Sequence, residues 1–175
     1  MRNSRGFTLA ELLIVVAVIG ILAAIAVPAL LRARQNANEA SAVSTMRTIS
    51  SAEVTFAASC GRGGYAQSLA DLSRPAPSGL TFIGPDLSQD PSMKSGYEIV
   101  LSAEAGSASV TPAAGTCNGS ANDAVRAFWA GARPLQLGAT GQRAFAIDVR
   151  GAIFEAANGA VHIANPVPPG TTVLK

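Results

Sequence analysis

Between Leu12 and Leu31 twenty consecutive residues carry neither a charge nor an amide, and the residue just before them, Glu11, is a carboxylate. At 1.5 Å per residue a helix of that length covers about 30 Å, the thickness of a bilayer core. Such a run is too long and too uniformly apolar to be the one-sided stripe of a surface helix. The first element of the chain therefore belongs in lipid or in an apolar bundle. An ionisable residue in a membrane span costs roughly 2.5–3.5 kcal/mol on insertion scales and by default marks function. Glu11 is thus the residue that any reading has to explain.

Two plain readings leave it unexplained. A basic start, an apolar stretch and Ala24-Ile25-Ala26 fit a secretory signal peptide with an A-x-A exit. Against that, the apolar run continues past Ala26 to Leu31, and Glu11 interrupts its start. A signal anchor accounts for the length and not for the acid. Arg2 and Arg5 before the run are matched by Arg32 and Arg34 after it, so the positive-inside count is a tie. Gly20 and Pro28 lie inside the run, and membrane helices tolerate both. Pro28 lacks an N–H, and Gly20 weakens the helix locally.

The stretch "RGFTLAELLIVVAVIGILAAIAVPAL" (5–30) closely resembles the N-terminus of type IV pilins and of the pseudopilins of type II secretion. In that family a membrane-embedded aspartyl peptidase cuts a short basic leader after its terminal glycine and N-methylates the new first residue. The resemblance implies a cut between Gly6 and Phe7, with Phe7 as the methylated N-terminus. Glu11, Gly20 and Pro28 match family positions, and the family loosens the helix in this stretch within its filaments. A cut before the apolar run leaves the helix attached. The free Phe7 amine then has a natural partner in the Glu11 carboxylate, one turn along the same chain or in a neighbouring chain. Between chains the pairing would set the axial register of helix against helix, the use favoured here.

From Ala29 to Cys60 no helix breaker appears, and Ala42, Met46, Ile49, Ala52 and Phe56 recur at spacings of three and four. Gly61, Gly63 and Gly64 then end the element. The expected helix runs from about Thr8 to Ser59; a coiled-coil stalk fits less well, because the stripe is short and lacks e/g charges. Residues 65 to 96 read as loop, broken by Pro75, Pro77, Pro85 and Pro91, with one short helix in "YAQSLADL". Strand signals follow at Tyr97, Ile99 and Leu101, at 124–132 and at 143–149, with a turn at Asp148–Gly151 into "AIFEA". Residues 105–122 read as an exposed loop and "NPVPPGTTVLK" as an extended, exposed tail. The expected fold class is α+β, a long N-terminal helix packed on a small antiparallel sheet of three or four strands. The expected divisions are a leader 1–6, an apolar membrane and assembly half 7–31, an amphipathic half 32–60 and a head 61–175. The segments "FWAGARP" and "TGQRAFAIDVRGAI" also resemble the compact-sheet heads of some bacterial pilins, less specifically than the N-terminus does.

Composition sets the remaining bounds. The 175 residues allow one domain plus an anchor, and 14% charged against 49% apolar residues excludes disorder. With aromatics at 5%, the core is expected to be built from small residues. The formal charge of +2 rests on Arg2 and Arg5; the residues after Gly6 hold 11 Lys and Arg against 11 Asp and Glu. Charge therefore gives no support for a nucleic-acid partner. The single histidine, His162, has no evident Ser or Cys partner, and no catalytic constellation is found, so the chain is read as no enzyme, with no cofactor and no metal. Asp86 and Asp90 in "PDLSQD" are read as solvated loop acids rather than calcium ligands, which would require several more oxygens. Asn118-Gly119-Ser120 fits a glycosylation sequon, a short pattern on which no weight is placed. Trp129 is read as a core or interface residue. Cys60 and Cys117 are two buried thiols in a reducing compartment and a disulfide in an oxidising one.

The resemblance places the head outside the cytoplasm and so favours the disulfide, tying the end of the long helix to the loop before the second of the read strands. It implies a structural subunit of a type IV pilus, held in the inner membrane before assembly and then in an extracellular filament. Its implied partners are further copies of itself, the prepilin peptidase and the assembly machinery. A type II secretion pseudopilin and a membrane-anchored periplasmic binding domain that never polymerises are the alternatives.

Overall fold

A computed structural model describes residues 7–174; residues 1–6, which hold the expected leader and Gly6, and Lys175 lie outside the described residues. The chain divides into two compact units, Met1–Arg34 and Gln35–Lys175. Helix α1, Leu9–Ser59, contributes to both. Within the first unit it is helical throughout, Gly20 and Pro28 included.

In the second unit, the face of α1 formed by Ala42, Met46, Ile49, Ala52 and Phe56 is buried, as the three-and-four spacing indicates. Met46, Ile49 and Phe56 are fully covered, each contributing about 1.5–3 kcal/mol by burial of apolar surface. The helix ends where expected. The N–H groups of Cys60 and Gly61 both donate to Phe56 O, at 2.8 and 2.7 Å. A Cβ at Gly61 would lie 2.0 Å from Gly64 O and 2.8 Å from the Phe56 ring, so only glycine closes this turn.

The sheet receiving that face is antiparallel and six-stranded, in the order β1-β2-β5-β6-β7-β8. Its strands are β1 (Ser92–Lys94), β2 (Tyr97–Ala103), β5 (Phe128–Pro134), β6 (Ala144–Asp148), β7 (Ile153–Ala156) and β8 (Thr172–Val173). A separate ribbon pairs β3 (Ser109–Thr111) with β4 (Ala124–Val125). Tyr97, Ile99 and Leu101 of β2, Ala130 and Ala132 of β5, and Phe145 and Ile147 of β6 meet the helix face in one core. The interior combines such alanines with large side chains, among them Tyr97, Phe56 and Phe145. Asp148 turns β6 into β7: its main-chain O accepts from Gly151 N at 2.9 Å and its carboxylate accepts from Arg150 N at 2.9 Å.

Four expectations are corrected. The sheet has six strands rather than three or four, because β1 and β8 are edge strands of three and two residues, too short to show alternation. The tail is not simply exposed: its Val167 is buried, together with Ile163 just ahead of it, with Trp129, Ala144, Ala146 and Phe154 in a second cluster on the other side of the sheet. Both sides of β5 and β6 are therefore covered, which is why β6 is buried at every position. The segment 105–122 is not an open loop, since it holds β3 and a 3-10 turn, Ala113–Gly115, and buries Thr111, Thr116 and Ser120. Finally, Asp90 is not a free loop acid, because its carboxylate accepts from the N–H groups of Leu69, Ala70 and Leu101. It thereby ties the short helix α2, Leu69–Ser73, to β2.

Candidate functional site

The first unit presents its side chains outward. Phe7 is 74% exposed, and the large apolar residues from Leu12 to Leu31 are exposed on every side of the helix. None of the most apolar 18-residue window of α1 is buried inside the chain. A helix that is apolar all round belongs inside a membrane or a bundle, so a surface of this kind calls for apolar surroundings.

At the head of this surface stand Phe7, Thr8 and Glu11. Thr8 precedes the first helical residue, and its N–H and Oγ1–H both donate to Glu11 Oε2, at 3.0 and 2.7 Å. Glu11 N–H donates back to Thr8 Oγ1 at 3.3 Å. This is a reciprocal capping box, which satisfies helix-start N–H groups that no intrahelical carbonyl reaches. It also aligns an acid with the positive end of the helix dipole. The sequence reading missed it, although Thr8-x-x-Glu11 before an apolar run is its signature. In the uncleaved chain Phe7 N is a peptide nitrogen, so the carboxylate is held by Thr8, next to the position where a cut after Gly6 would create an amine. A Cβ at Gly20 would meet nothing within 4 Å, so packing inside the chain does not require that glycine.

The second unit shows how the head is held. Cys60 and Cys117 form a disulfide across a sequence separation of 57, joining the end of α1 to the loop ahead of β4 and β5. Glu39, buried on α1, accepts from the N–H groups of Gln142 and Arg143 at 2.9 and 3.2 Å and from Arg143 Nε at 2.9 Å. Arg143 Nη1 reaches on to Glu155 at 2.7 Å. Burial pushes the Glu39 carboxyl up, but these bonds and the guanidinium charge outweigh it and leave its pKa below the ordinary value. Asn38 Nδ2 adds a bond to Thr140 O at 2.9 Å, and Gln35 Nε2 donates to Gly138 O. The loop between β5 and β6 is thus clamped onto residues 35–39.

Farther along α1, Glu53 is fully buried, with Oε2 accepting from Ala66 N at 2.8 Å and Oε1 without a partner. Burial raises its pKa well above the ordinary value, which the Ala66 bond opposes and the neighbouring Asp71 charge reinforces. Asp71 itself accepts from Ala121 N and Asn122 Nδ2 at 2.6 and 2.9 Å. Neither Glu39 nor Glu53 stood out in the sequence; the one available signal was an acid on the buried face of an amphipathic helix.

The remaining sequence candidates are also placed. Asp86 is exposed and pairs with Lys94 Nζ at 2.7 Å. Asn118 Nδ2 donates to Asp71 O at 2.8 Å, so the sequon side chain is bound into the disulfide loop. His162 packs on Trp129 with its Nε2 3.2 Å from Glu98 Oε1. Among the described residues no group of three or more His, Cys, Asp and Glu side chains is arranged to hold a metal ion.

Residues 1–27 match the family described as the prokaryotic N-terminal methylation motif. The chain is similar to the type IV wide pilus major component PilA4 of Thermus thermophilus, 64% identical over 39 residues, which are 22% of this chain and 30% of that protein. It is similar also to the type IV major pilin protein PilA of Myxococcus xanthus, 43% identical over 54 residues, 31% of this chain and 24% of that protein. The chain thus spans less than a third of the length of these relatives, and no solved structure matches it. The N-terminal segment of the chain thus carries the prokaryotic N-terminal methylation motif, and over that segment and the residues just after it the chain is similar to type IV pilins.

Proposed function

We propose that the chain is a structural subunit that polymerises through its N-terminal helix into a type IV pilus. The observation that carries this reading is the apolar surface of residues 12–31, exposed all round and headed by the capped Glu11. Both relatives are named as major pilus components. In this reading the prepilin peptidase removes residues 1–6 by cutting after Gly6 and methylates Phe7. Residues 7–31 hold the subunit in the inner membrane and then form the filament core, 32–60 carry the head, and 61–175 complete it on the filament surface. On docking, the Phe7 amine of one subunit meets the Glu11 carboxylate of another; the carboxylate need only turn from Thr8 to the incoming ammonium. Gly20 and Pro28 are the points where the helix can loosen as neighbours pack.

Two measurements test this. Mass spectrometry of the mature chain is expected to find Phe7 as the first residue, heavier by one methyl group; a start at Val27 would overturn the reading. Filaments sheared from cells are expected to contain this chain. Glu11→Val and Glu11→Gln are expected to abolish or sharply reduce them while processed subunit persists in the membrane. Normal filament yield from both variants would remove Glu11 from the assembly contact. Deletion that abolishes protein secretion with no loss of surface filaments would instead identify a secretion pseudopilus.

A further inference from the structure

The side of the sheet away from α1 is covered by the chain's own segment 157–167. Gly159 N–H donates to Gln142 O at 2.8 Å at one end. Asn165 holds the other end, with Nδ2 donating to Ser102 Oγ and Ala103 O and Oδ1 accepting from Ala105 N. Between these anchors Ile163 packs into the cluster of Trp129 and Phe154, and His162 lies edge-on to Trp129 with ring centroids 6.0 Å apart. A Cβ at Gly131 would come within 2.4 Å of the Trp129 ring and 3.0 Å of His162 Nδ1. The missing side chain is what allows both rings to settle on β5.

His162 has two unlike nitrogens. Nε2 faces Glu98 Oε1 at 3.2 Å, and Glu98 is shared with Arg133, its cross-strand neighbour. Nδ1 is buried and has no hydrogen-bond partner, and Trp129 Nε1 is in the same condition. In the neutral ring that donates from Nε2, Nδ1 carries only a lone pair. Protonation places a second N–H there, a cationic donor buried without an acceptor, and an unmet buried polar group costs more when it is charged. The charged groups facing the ring are Glu98 from β2 and Arg133 from β5; Asp148 of β6, opposite Trp129 in register, is already paired with Arg150.

We propose that segment 157–167 is a strap that acid releases through His162, uncovering the apolar surface of Trp129 and Phe154. Burial already holds the imidazole below its ordinary value of 6.5, with Glu98 pulling it back and Arg133 adding to the push. The closed strap therefore prefers the neutral ring, and its stability is complete above the open-state value and lost as pH falls below it. Opening grows about tenfold per pH unit over the interval between the open and closed values.

Trp129, the only tryptophan, reports the event directly. In the full chain in non-ionic detergent, acrylamide quenching of Trp129 and hydrogen exchange over 157–167 would be followed from pH 8 to pH 5, with exchange corrected for its intrinsic pH dependence. Quenching is expected to rise, and protection over 157–167 to fall, below pH 6.5 while residues 42–56 of α1 stay protected. His162→Gln, which gains no proton, is expected to remove the pH dependence. Glu98→Gln, which keeps the imidazole but removes its carboxylate, is expected to extend the rise to lower pH. A flat wild-type profile, an unchanged rise in His162→Gln, a rise in Glu98→Gln that ends at higher pH, or loss of α1 protection in step with the strap would each overturn the proposal.

Discussion

Replacing Glu39 by glutamine tests the clamp between α1 and the β5–β6 loop. The wild-type carboxylate accepts two backbone N–H groups and two guanidinium contacts, with Arg143 Nη2 at 2.8 Å completing the set. Breaking a fully buried ion pair costs about 3–5 kcal/mol, whereas an exposed one is worth about 0–1. Glu39 is buried, but the Arg143 side chain is 39% exposed, so the expected loss lies between, at about 2 kcal/mol. With a urea dependence of about 1–3 kcal/mol per molar, the head's unfolding midpoint should fall by about 1 M. Trp129 fluorescence in detergent would follow it. The pH dependence sharpens the test. The folded Glu39 pKa lies below the ordinary 4.5, so its contribution is present above that value and is lost as pH falls through the folded one. The two proteins should therefore differ at pH 7 and converge toward pH 3. Equal midpoints at pH 7, or a gap undiminished at pH 3, would refute the reasoning.

Glu53→Gln is expected to show the opposite dependence. Its folded pKa is raised, so the stability tied to the neutral acid is complete below 4.5 and lost as pH rises; urea midpoints of variant minus wild type should increase from pH 4 to pH 8, and a flat difference would show that Glu53 ionises freely. Cys60→Ser and Cys117→Ser are each expected to destabilise the head by about 4 kcal/mol on the loop-entropy relation for a separation of 57. Immunoblots of membrane fractions should show less subunit, and a non-reducing peptide map of the wild type should show the cross-link.

The parts of the fold legible by periodicity are those where one side of an element is wet. The face of α1 from Ala42 to Phe56 and the alternation of Tyr97, Ile99 and Leu101 show a buried side against an exposed one. β6 is legible as a strand at 143–149 from its residue content alone and not from alternation, because Ile163 and Val167 cover the side that α1 does not. Part of that cover, Val167, comes from a tail whose Pro-rich composition reads as exposed. The site divides in the same way. A linear motif draws attention to Phe7 and Glu11, whereas the capping role of Thr8 was hidden behind the longer-range partner sought for the same carboxylate.

Most hidden of all are the acids that hold loops. Glu39 serves the amides of 142 and 143, Glu53 that of 66, Asp71 that of 121, and Asp90 those of 69, 70 and 101. Each satisfies N–H groups that no strand or helix partner reaches, and a buried N–H left unmet costs about 1–3 kcal/mol. Which amides lack a partner is decided only when distant segments meet, so no local pattern announces the acid that answers them. A head with few aromatics to anchor its loops gains much of its order this way. Its most sensitive positions therefore include carboxylates that a hydropathy reading would assign to the surface.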